Sequence, residues 1–112
     1  MKKVLVSGIQ PSGRLHIGNY FGALKQFVDL QDTYDSKIII VDLHALTTVQ
    51  DKNKLSAGTL EIAMDYLACG LDPQKVVIVK QSDLHEATEH TWNFNSITQA
   101  SYLEGAVAYK DA

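Results

Sequence analysis

The chain has 112 residues, of which 46% are hydrophobic and 21% charged, and its formal net charge is −3. This length fits one domain or part of one, and the composition argues against a disordered or low-complexity protein. The acidic balance gives no overall basic surface for nucleic acid, and no apolar run approaches the roughly 20 residues that a membrane span needs.

The cysteine content and the N-terminus indicate the compartment. The single cysteine, Cys69, allows no intrachain disulfide, and its apolar neighbours predict a buried thiol. Lys2 and Lys3 precede an apolar run that is too short for the hydrophobic region of a signal peptide. We therefore expect a cytoplasmic protein of a reducing compartment, with no membrane partner.

Three short apolar runs predict strands, at Lys3–Ser7, Lys37–Asp42 and Val76–Val79. Their residues are mostly β-branched and nearly continuous in apolar character, which is typical of strands buried on both faces of a parallel sheet. The sequence after the second run, Leu43–Thr48, predicts a loop or a short irregular turn.

Helical periodicity follows each of these strands. The first helix is expected from Ile17 to near Tyr34, the second from Asp51 as its cap to Gly70, and the third from Glu86 to about Thr98. A further helix is expected within Ser101–Ala112. The faces expected to pack inward are Ile17, Tyr20, Phe21, Leu24, Phe27, Val28 and Gln31 or Leu30 in the first helix; Leu55, Thr59, Ile62, Ala63, Tyr66 and Leu67 in the second; and Ala87, His90, Thr91, Phe94 and Ile97 or Thr98 in the third.

The order of elements, β-α-β-α-β-α, predicts an α/β fold with a Rossmann-like parallel sheet and right-handed helical crossovers. Ligands of such sheets bind beyond the carboxyl ends of the strands. Polar residues follow all three predicted strands, in Ser7–Gln10, Asp42–His44 and Gln81–Asp83. We therefore expect these three groups to meet at one edge of the sheet, as the rim of a site.

The turn Gln10–Asn19 joins the first strand to the first helix, a junction whose free backbone N–H groups and helix dipole suit phosphate. It matches neither the dinucleotide fingerprint of three spaced glycines nor a Walker A loop. Its spacing alone leaves two alternatives equally open, a phosphate-binding turn and a plain connection capped by a polar residue.

A second candidate site is the pair Asp42 and His44, because the two side chains share a face if the second strand runs through both. A metal site, part of a catalytic dyad and an ordinary histidine at the rim are the alternatives. No third ligand at a fitting spacing is evident.

The remaining reactive side chains favour structural roles. His85 and His90 are five residues apart, which does not place them on one helical face, so we interpret them as surface or interface residues. Trp92 and Phe94 are expected in packing, at a subunit interface. Cys69 has no basic neighbour to activate it, and no Gly-x-Ser-x-Gly elbow supports a serine hydrolase.

The run Pro11–Tyr20 resembles the first signature motif, the "HIGH" region, of class I aminoacyl-tRNA synthetases. The wider sequence is similar to the tryptophanyl-tRNA synthetase family in particular, over essentially the whole chain and most firmly over residues 4–84. The stretches that carry this resemblance are Ser7–Gly13, His16–Leu24, Ile38–Thr47, Asp65–Pro73 and Gln81-Ser82.

The resemblance implies a role for each matching position. His16 would stabilise the pentacoordinate phosphate as pyrophosphate leaves. Asn19 stands where the general motif ends in histidine, a departure that is usual in this family. The residues implied in ATP binding are Gln10, Pro11, Ser12, Gly18 and Asn19, and those implied near tryptophan are Val6, Gly8 and His44.

By this resemblance the parent protein is a tryptophan–tRNA ligase that forms tryptophanyl-adenylate from L-tryptophan and ATP with Mg²⁺, then charges tRNA(Trp). The family also implies a homodimer. Two alternatives stay open. One is another class I nucleotidyl-transferring enzyme, such as a tyrosyl-tRNA synthetase or a small adenylyltransferase. The other is a non-catalytic dimerisation or binding module, which the apolar segment Trp92–Tyr102 favours.

Residues 1–112 resemble only the N-terminal half of the catalytic domain, without the second signature motif, "KMSKS", and without the anticodon-binding domain. No Lys-Met-Ser-Lys-like string occurs in the chain, and no Mg²⁺ ligand is identifiable. Without the later strands of the family's sheet, Lys3–Ser7 would be an uncovered apolar edge.

We predict that the isolated 112 residues bind ATP weakly and do not charge tRNA, because one wall of the nucleotide cleft is missing. Calorimetric ATP titration and tryptophan-dependent ATP–pyrophosphate exchange check this expectation. Exchange at the rate of a complete enzyme would contradict it.

Overall fold

The computed structural model describes residues 1–106 and 109. No helix in this described part is both long and apolar enough to cross a membrane. The elements in chain order are β1 (Val4–Ile9), α1 (Ile17–Asn19), a π-helical turn (Tyr20–Leu24), α2 (Lys25–Leu30), β2 (Asp35–Ile40), α3 (Asp42–Ala45), α4 (Lys52–Ala68), β3 (Val77–Lys80), a 3-10 turn (Gln81–Asp83), α5 (His85–Ile97) and α6 (Ala100–Leu103).

The three strands form one parallel sheet in the order β1-β2-β3, which confirms the predicted architecture. The strand ends differ from the prediction, because hydrogen-bond pairing and not apolar character decides them. In β1, Gly8 and Ile9 are still paired, opposite Ile39 and Ile40. In β2, pairing begins at Asp35 and stops before the predicted end.

Helices cover one face of the sheet. Alternate residues of β2, from Ser36 to Ile40, point toward these helices and are buried. The prediction of strands buried on both faces is therefore wrong for the described part of the chain, because helices cover only one of them. The ring of Phe27 meets the ring of Tyr66 edge-on, with centroids 6.3 Å apart. The buried core consists of Leu24, Phe27, Ile38, Ile40, Ile62, Tyr66, Leu71 and Val76.

The opposite face of the sheet and the outer edge of β1 are open in the described part of the chain. Val4 and Val6 expose 63% and 62% of their surface, and β1 pairs only with β2 among the described strands. The expectation that the first strand forms an uncovered apolar edge is therefore confirmed. Such an edge can pair with another strand.

The helical faces were predicted correctly only where a partner exists. In the first helical stretch, Leu24 and Phe27 are buried, whereas Ile17 and Phe21 are exposed. In α4, Leu67 is 48% exposed, so its predicted inward position is wrong.

The inward face predicted for α5 is wrong as a whole, since this helix buries no residue. Its apolar residues do recur at helical spacing, but no other described residue packs over them closely enough to bury them. Of the helix predicted within Ser101–Ala112, the structure shows α6, and residues 107, 108 and 110–112 lie outside the described part.

The predicted ends of α4 are confirmed. The Asp51 carboxylate accepts hydrogen bonds from the backbone N–H groups of Asn53 and Lys54, at 2.8 and 3.0 Å. Gly70 has a φ of 103°, a left-handed conformation that favours glycine just after a helix. The buried Gln31 secures this turn, donating to the Gly70 carbonyl and accepting from the N–H of Asp72.

The Tyr66 hydroxyl is a buried polar group beneath β1. The side chain is fully buried, and its oxygen has no hydrogen-bond partner among the described residues. Burial raises the pKa of Tyr66 to about 12, and the nearby Ile9 backbone offsets part of that rise without reaching hydrogen-bonding geometry.

We predict that this phenol makes the fold sensitive to alkali. Unfolded tyrosine ionises near pH 10 and the folded residue near pH 12, so the free energy of unfolding should fall across that interval. Tyr66→Phe should remove this component and leave stability at neutral pH unchanged or higher, because the lost hydroxyl has no partner. Urea unfolding at a series of pH values measures both effects. Tyr102→Phe, at an exposed tyrosine, is the control, and identical pH slopes for wild type and Tyr66→Phe would refute the prediction.

Candidate functional site

The three polar groups predicted to form a rim do meet at one edge of the sheet. The Asp42 carboxylate accepts a hydrogen bond from the backbone N–H of Ser82 at 2.9 Å. The Gln81 side-chain oxygen accepts one from the backbone N–H of His44 at 3.3 Å. The N–H of Val41 donates to the carbonyl of Ile9 at 3.1 Å, which ties the ends of β1 and β2. The rim is therefore cross-linked between neighbouring strands.

Asp42 and His44 do not share a strand face, so that interpretation is wrong. Strand β2 ends at Ile40, and both residues belong to the short helix α3. Asp42 is buried and binds the backbone of the next rim segment, while His44 is exposed. In the described part of the chain, no three His, Cys, Asp or Glu side chains come together in a way that could hold a metal ion.

The turn after β1 is stabilised by a hydrogen bond between two of its own side chains. The Gln10 side-chain nitrogen donates to the Ser12 hydroxyl at 3.1 Å, and this bond spans Pro11, which is buried. Ser12, Gly13 and Arg14 are exposed. The turn thus has a buried anchor and an accessible outer surface.

His16 is the N-cap of α1. Its Nδ1 atom accepts the backbone N–H of Gly18 at 3.1 Å, while its own backbone N–H donates to the Asn19 side-chain oxygen at 3.0 Å. This reciprocal arrangement is a capping box. Because Nδ1 is an acceptor, the neutral ring carries its proton on Nε2. The exposed imidazole therefore presents an N–H donor outward.

Two glycines in this region are required by close contacts. A Cβ on Gly18 would lie 2.9 Å from Cε1 of the His16 ring, so only glycine leaves room for the capping imidazole. A Cβ on Gly8 would lie 2.1 Å from the Ile39 carbonyl oxygen, a backbone atom of β2. The resemblance implies that Gly8 lies near tryptophan, and the structure shows that the neighbouring strand by itself already requires glycine there.

The residues expected near tryptophan lie in two places. Val6 and Gly8 occupy alternate positions of β1, on the open face of the sheet. His44 borders a cavity of about 330 Å³ at the rim. The other residues lining that cavity are Leu43, Gln81, Ala87, Thr88 and Thr91. The contribution of α5 to this cavity was missed, because its residues were assigned to a packing face.

A second cavity, of about 340 Å³, lies beside His16. Cys69 and Asp65 of the α4 region border it, together with Tyr20. Cys69 is half-buried against the core, so the predicted buried thiol is only partly correct. The apolar residues before Cys69 gave no sign that a cavity opens beside it.

A third cavity, of about 610 Å³, lies between α4 and β3. Lys52, Leu55 and Ile78 line it, and at the rim it is bordered by Asp42 and Ser82. On α5, His85, His90, Trp92 and Phe94 are all exposed, and the His90 and Phe94 rings lie 6.3 Å apart. The two histidines are thus surface residues, as predicted, whereas Trp92 and Phe94 pack against nothing that buries them in the described part of the chain.

Comparison with known proteins gives consistent matches. The sequence profile of the family described as "tRNA synthetases class I (W and Y)" matches residues 2–112. A tryptophan–tRNA ligase from Fusobacterium nucleatum is 55% identical over 99% of this chain, and the chain covers 34% of that relative. A second, from Caldanaerobacter subterraneus, is 48% identical, again with 34% of the relative covered.

Solved structures match equally well. A tryptophanyl-tRNA synthetase from Campylobacter jejuni has a TM-score of 0.90 at 44% identity, over 99% of this chain and 35% of that one. Its complex with ADP and tryptophan scores 0.89 at 46% identity, over 97% and 34%. A tyrosyl-tRNA synthetase from Archaeoglobus fulgidus scores 0.72 at 20% identity over 88% and 32%, which shows a shared fold alone. The chain spans about a third of the length of these relatives.

We predict that Gly18→Ala displaces the His16 ring, because the added methyl would occupy its place. In the wild-type protein, nitrogen NMR should find the neutral ring protonated on Nε2. In Gly18→Ala the ring loses its fixed partner, and the two tautomers should mix. Gly13→Ala is the control, since nothing lies within 4 Å of a methyl there. An unchanged His16 signature in Gly18→Ala would contradict the capping geometry.

Proposed function

Since this chain belongs to the class I tRNA synthetases of the tryptophan and tyrosine family, we propose that the protein carrying it is a tryptophan–tRNA ligase. The observation that carries the proposal is the turn Gln10–Asn19, where a capped histidine and hydrogen-bonding side chains meet at the carboxyl end of β1. The tryptophan specificity rests on the relatives, which at 41–55% identity are named tryptophan–tRNA ligases.

The proposed reaction joins the carboxylate of L-tryptophan to the α-phosphate of ATP and releases pyrophosphate. The aminoacyl group then passes to tRNA(Trp). We assign Gln10, Pro11, Ser12, Gly18 and Asn19 to ATP binding. Two observations support this assignment. The outer surface of the turn is accessible, and Gly18 places no side chain beside the His16 imidazole.

His16 is the proposed catalytic residue. Its Nδ1 is already used in the cap, which fixes the ring and leaves the Nε2–H as a donor toward solvent. A fixed donor of this kind can stabilise the negative charge that develops on a phosphate in the transition state. The ring would act by position and hydrogen bonding, without moving a proton.

His44, with Val6 and Gly8, is proposed to lie near tryptophan. The rim cavity beside His44 is open, and the backbone of His44 is anchored through Gln81. The similar structure from Campylobacter jejuni is described as a complex with ADP and tryptophan. That description supports both substrates for this protein.

We expect Mg²⁺ to accompany ATP on its phosphates. The described residues bring together no set of three metal-binding side chains, so they do not form a site of their own for the ion. Mg²⁺ commonly binds through substrate phosphates and water, with few protein ligands. When bound in this way, the ion would neutralise part of the charge on the phosphates.

The remaining proposals concern the whole protein. Residues 1–112 would be the N-terminal half of the nucleotide-binding catalytic domain, with tRNA contacts made by other parts of the protein. The protein would be cytoplasmic and a homodimer. The exposed apolar side chains of the α5–α6 region support an interface there, namely Trp92, Phe94, Ile97, Tyr102 and Leu103.

The test is amino-acid-dependent ATP–pyrophosphate exchange by the full-length gene product. We expect exchange with tryptophan and little with tyrosine or pantoate. His16→Ala should lower kcat by about a hundredfold, with little change in the KM for tryptophan, because the lost donor acts in the transition state. His85→Ala, at an exposed histidine of α5, is the matched control. Exchange that depends on tyrosine, or none at all, would refute the proposal.

A further inference from the structure

Helix α4 packs beneath the turn Gln10–Asn19, called here the signature turn. It contacts that turn through a glycine, which has no side chain. A Cβ built on Gly58 would lie 3.3 Å from the carbonyl oxygen of Pro11 and 3.6 Å from its Cβ. Contacts of 3.3 Å to a Cβ are tighter than ordinary van der Waals contact. A methyl group at position 58 would therefore be tightly packed against the Pro11 carbonyl, and one of the two backbones would have to shift slightly.

We propose that Gly58 is a positioning residue for ATP binding, because the absence of its side chain sets the depth of the turn that carries Gln10 and Ser12. The inference rests on the proposed function and extends it to α4, a helix to which that proposal assigns no ATP-binding residue. Neither the composition nor the signature motif singles out Gly58.

The helix cannot retreat from a larger side chain at this position. Ile62 and Tyr66 of the same helix are 1% and 0% exposed, and they lock α4 into the core. The turn is the softer partner, since Ser12, Gly13 and Arg14 are all exposed. A methyl at position 58 therefore displaces Pro11 outward and leaves the helix in place.

The displacement reaches the proposed ATP contacts through one hydrogen bond. Gln10 and Ser12 flank Pro11 and are joined across it, Nε2 to Oγ, at 3.1 Å. Proline has a fixed φ and cannot absorb the movement by rotation about its own N–Cα bond. The two flanking side chains must then move together with Pro11, by a few tenths of an ångström.

The effect of Gly58 on the stability of its own helix is unfavourable. Glycine inside a helix is less favourable than alanine, because it loses more conformational freedom on folding. Position 58 lies well inside α4, which runs from Lys52 to Ala68. A glycine that weakens its own helix while it clears space for the turn fits a role in the site better than a role in stability.

Gly58→Ala in the full-length protein tests the inference. We expect the KM for ATP in tryptophan-dependent exchange to rise about three- to tenfold, with the KM for tryptophan unchanged and the melting temperature equal or higher. A merely structural defect would instead lower the melting temperature and the active fraction, and would leave both KM values unchanged. Ala57→Ser, which adds one atom at the neighbouring exposed position, is the control and should match wild type.

The outcomes separate the two proposals. If wild type shows no tryptophan-dependent exchange, the proposed function fails. If wild type is active and Gly58→Ala keeps a wild-type KM for ATP, the function stands and the positioning role of Gly58 is wrong. A rise in the KM for ATP that accompanies an equal rise in the KM for tryptophan would also overturn it, because the displaced atoms belong to the ATP turn alone.

Discussion

The close approach of β1 and β2 at Gly8 is the constraint on which the rest of the rim depends. Any side chain there would collide with the Ile39 carbonyl, since even a Cβ would lie 2.1 Å from that oxygen. The approach fixes the register in which Gly8 faces Ile39 and Ile9 faces Ile40. Both strands therefore end level, and the chain leaves the sheet at Gln10 and at Val41 on the same edge. For this reason the signature turn lies next to the segment that follows Val41.

The sequence predicts the elements well where the signal is local. β-branched runs locate the three strands, and Asp51 and Gly70 mark the ends of α4 because caps involve only neighbouring residues. Strand ends are not local, since the register belongs to a pair of strands. The sequence therefore ended β1 at Ser7, although Gly8 and Ile9 are paired, and it extended β2 through Asp42, which begins a helical turn instead.

Side-chain spacing identifies a helical face but does not show whether anything covers it. Leu24 and Phe27 meet α4 and are buried, whereas Phe94 of α5 has the same kind of spacing and remains exposed. For the turn that contains His16, the sequence left two alternatives open, phosphate binding and a plain connection capped by a polar residue. The geometry makes them compatible, because the two roles use different nitrogen atoms of one ring. Only coordinates could separate those atoms.

The capping box at the start of α1 also has a consequence for how this sequence can vary. His16, Gly18 and Asn19 are bound to each other through a ring nitrogen, a backbone amide and a side-chain oxygen. A substitution at one position therefore changes the effect of a substitution at another. The resulting changes in the free energy of unfolding should not be additive. A substitution that is harmful at one of these positions alone can therefore be less harmful once another member of the capping box has also changed.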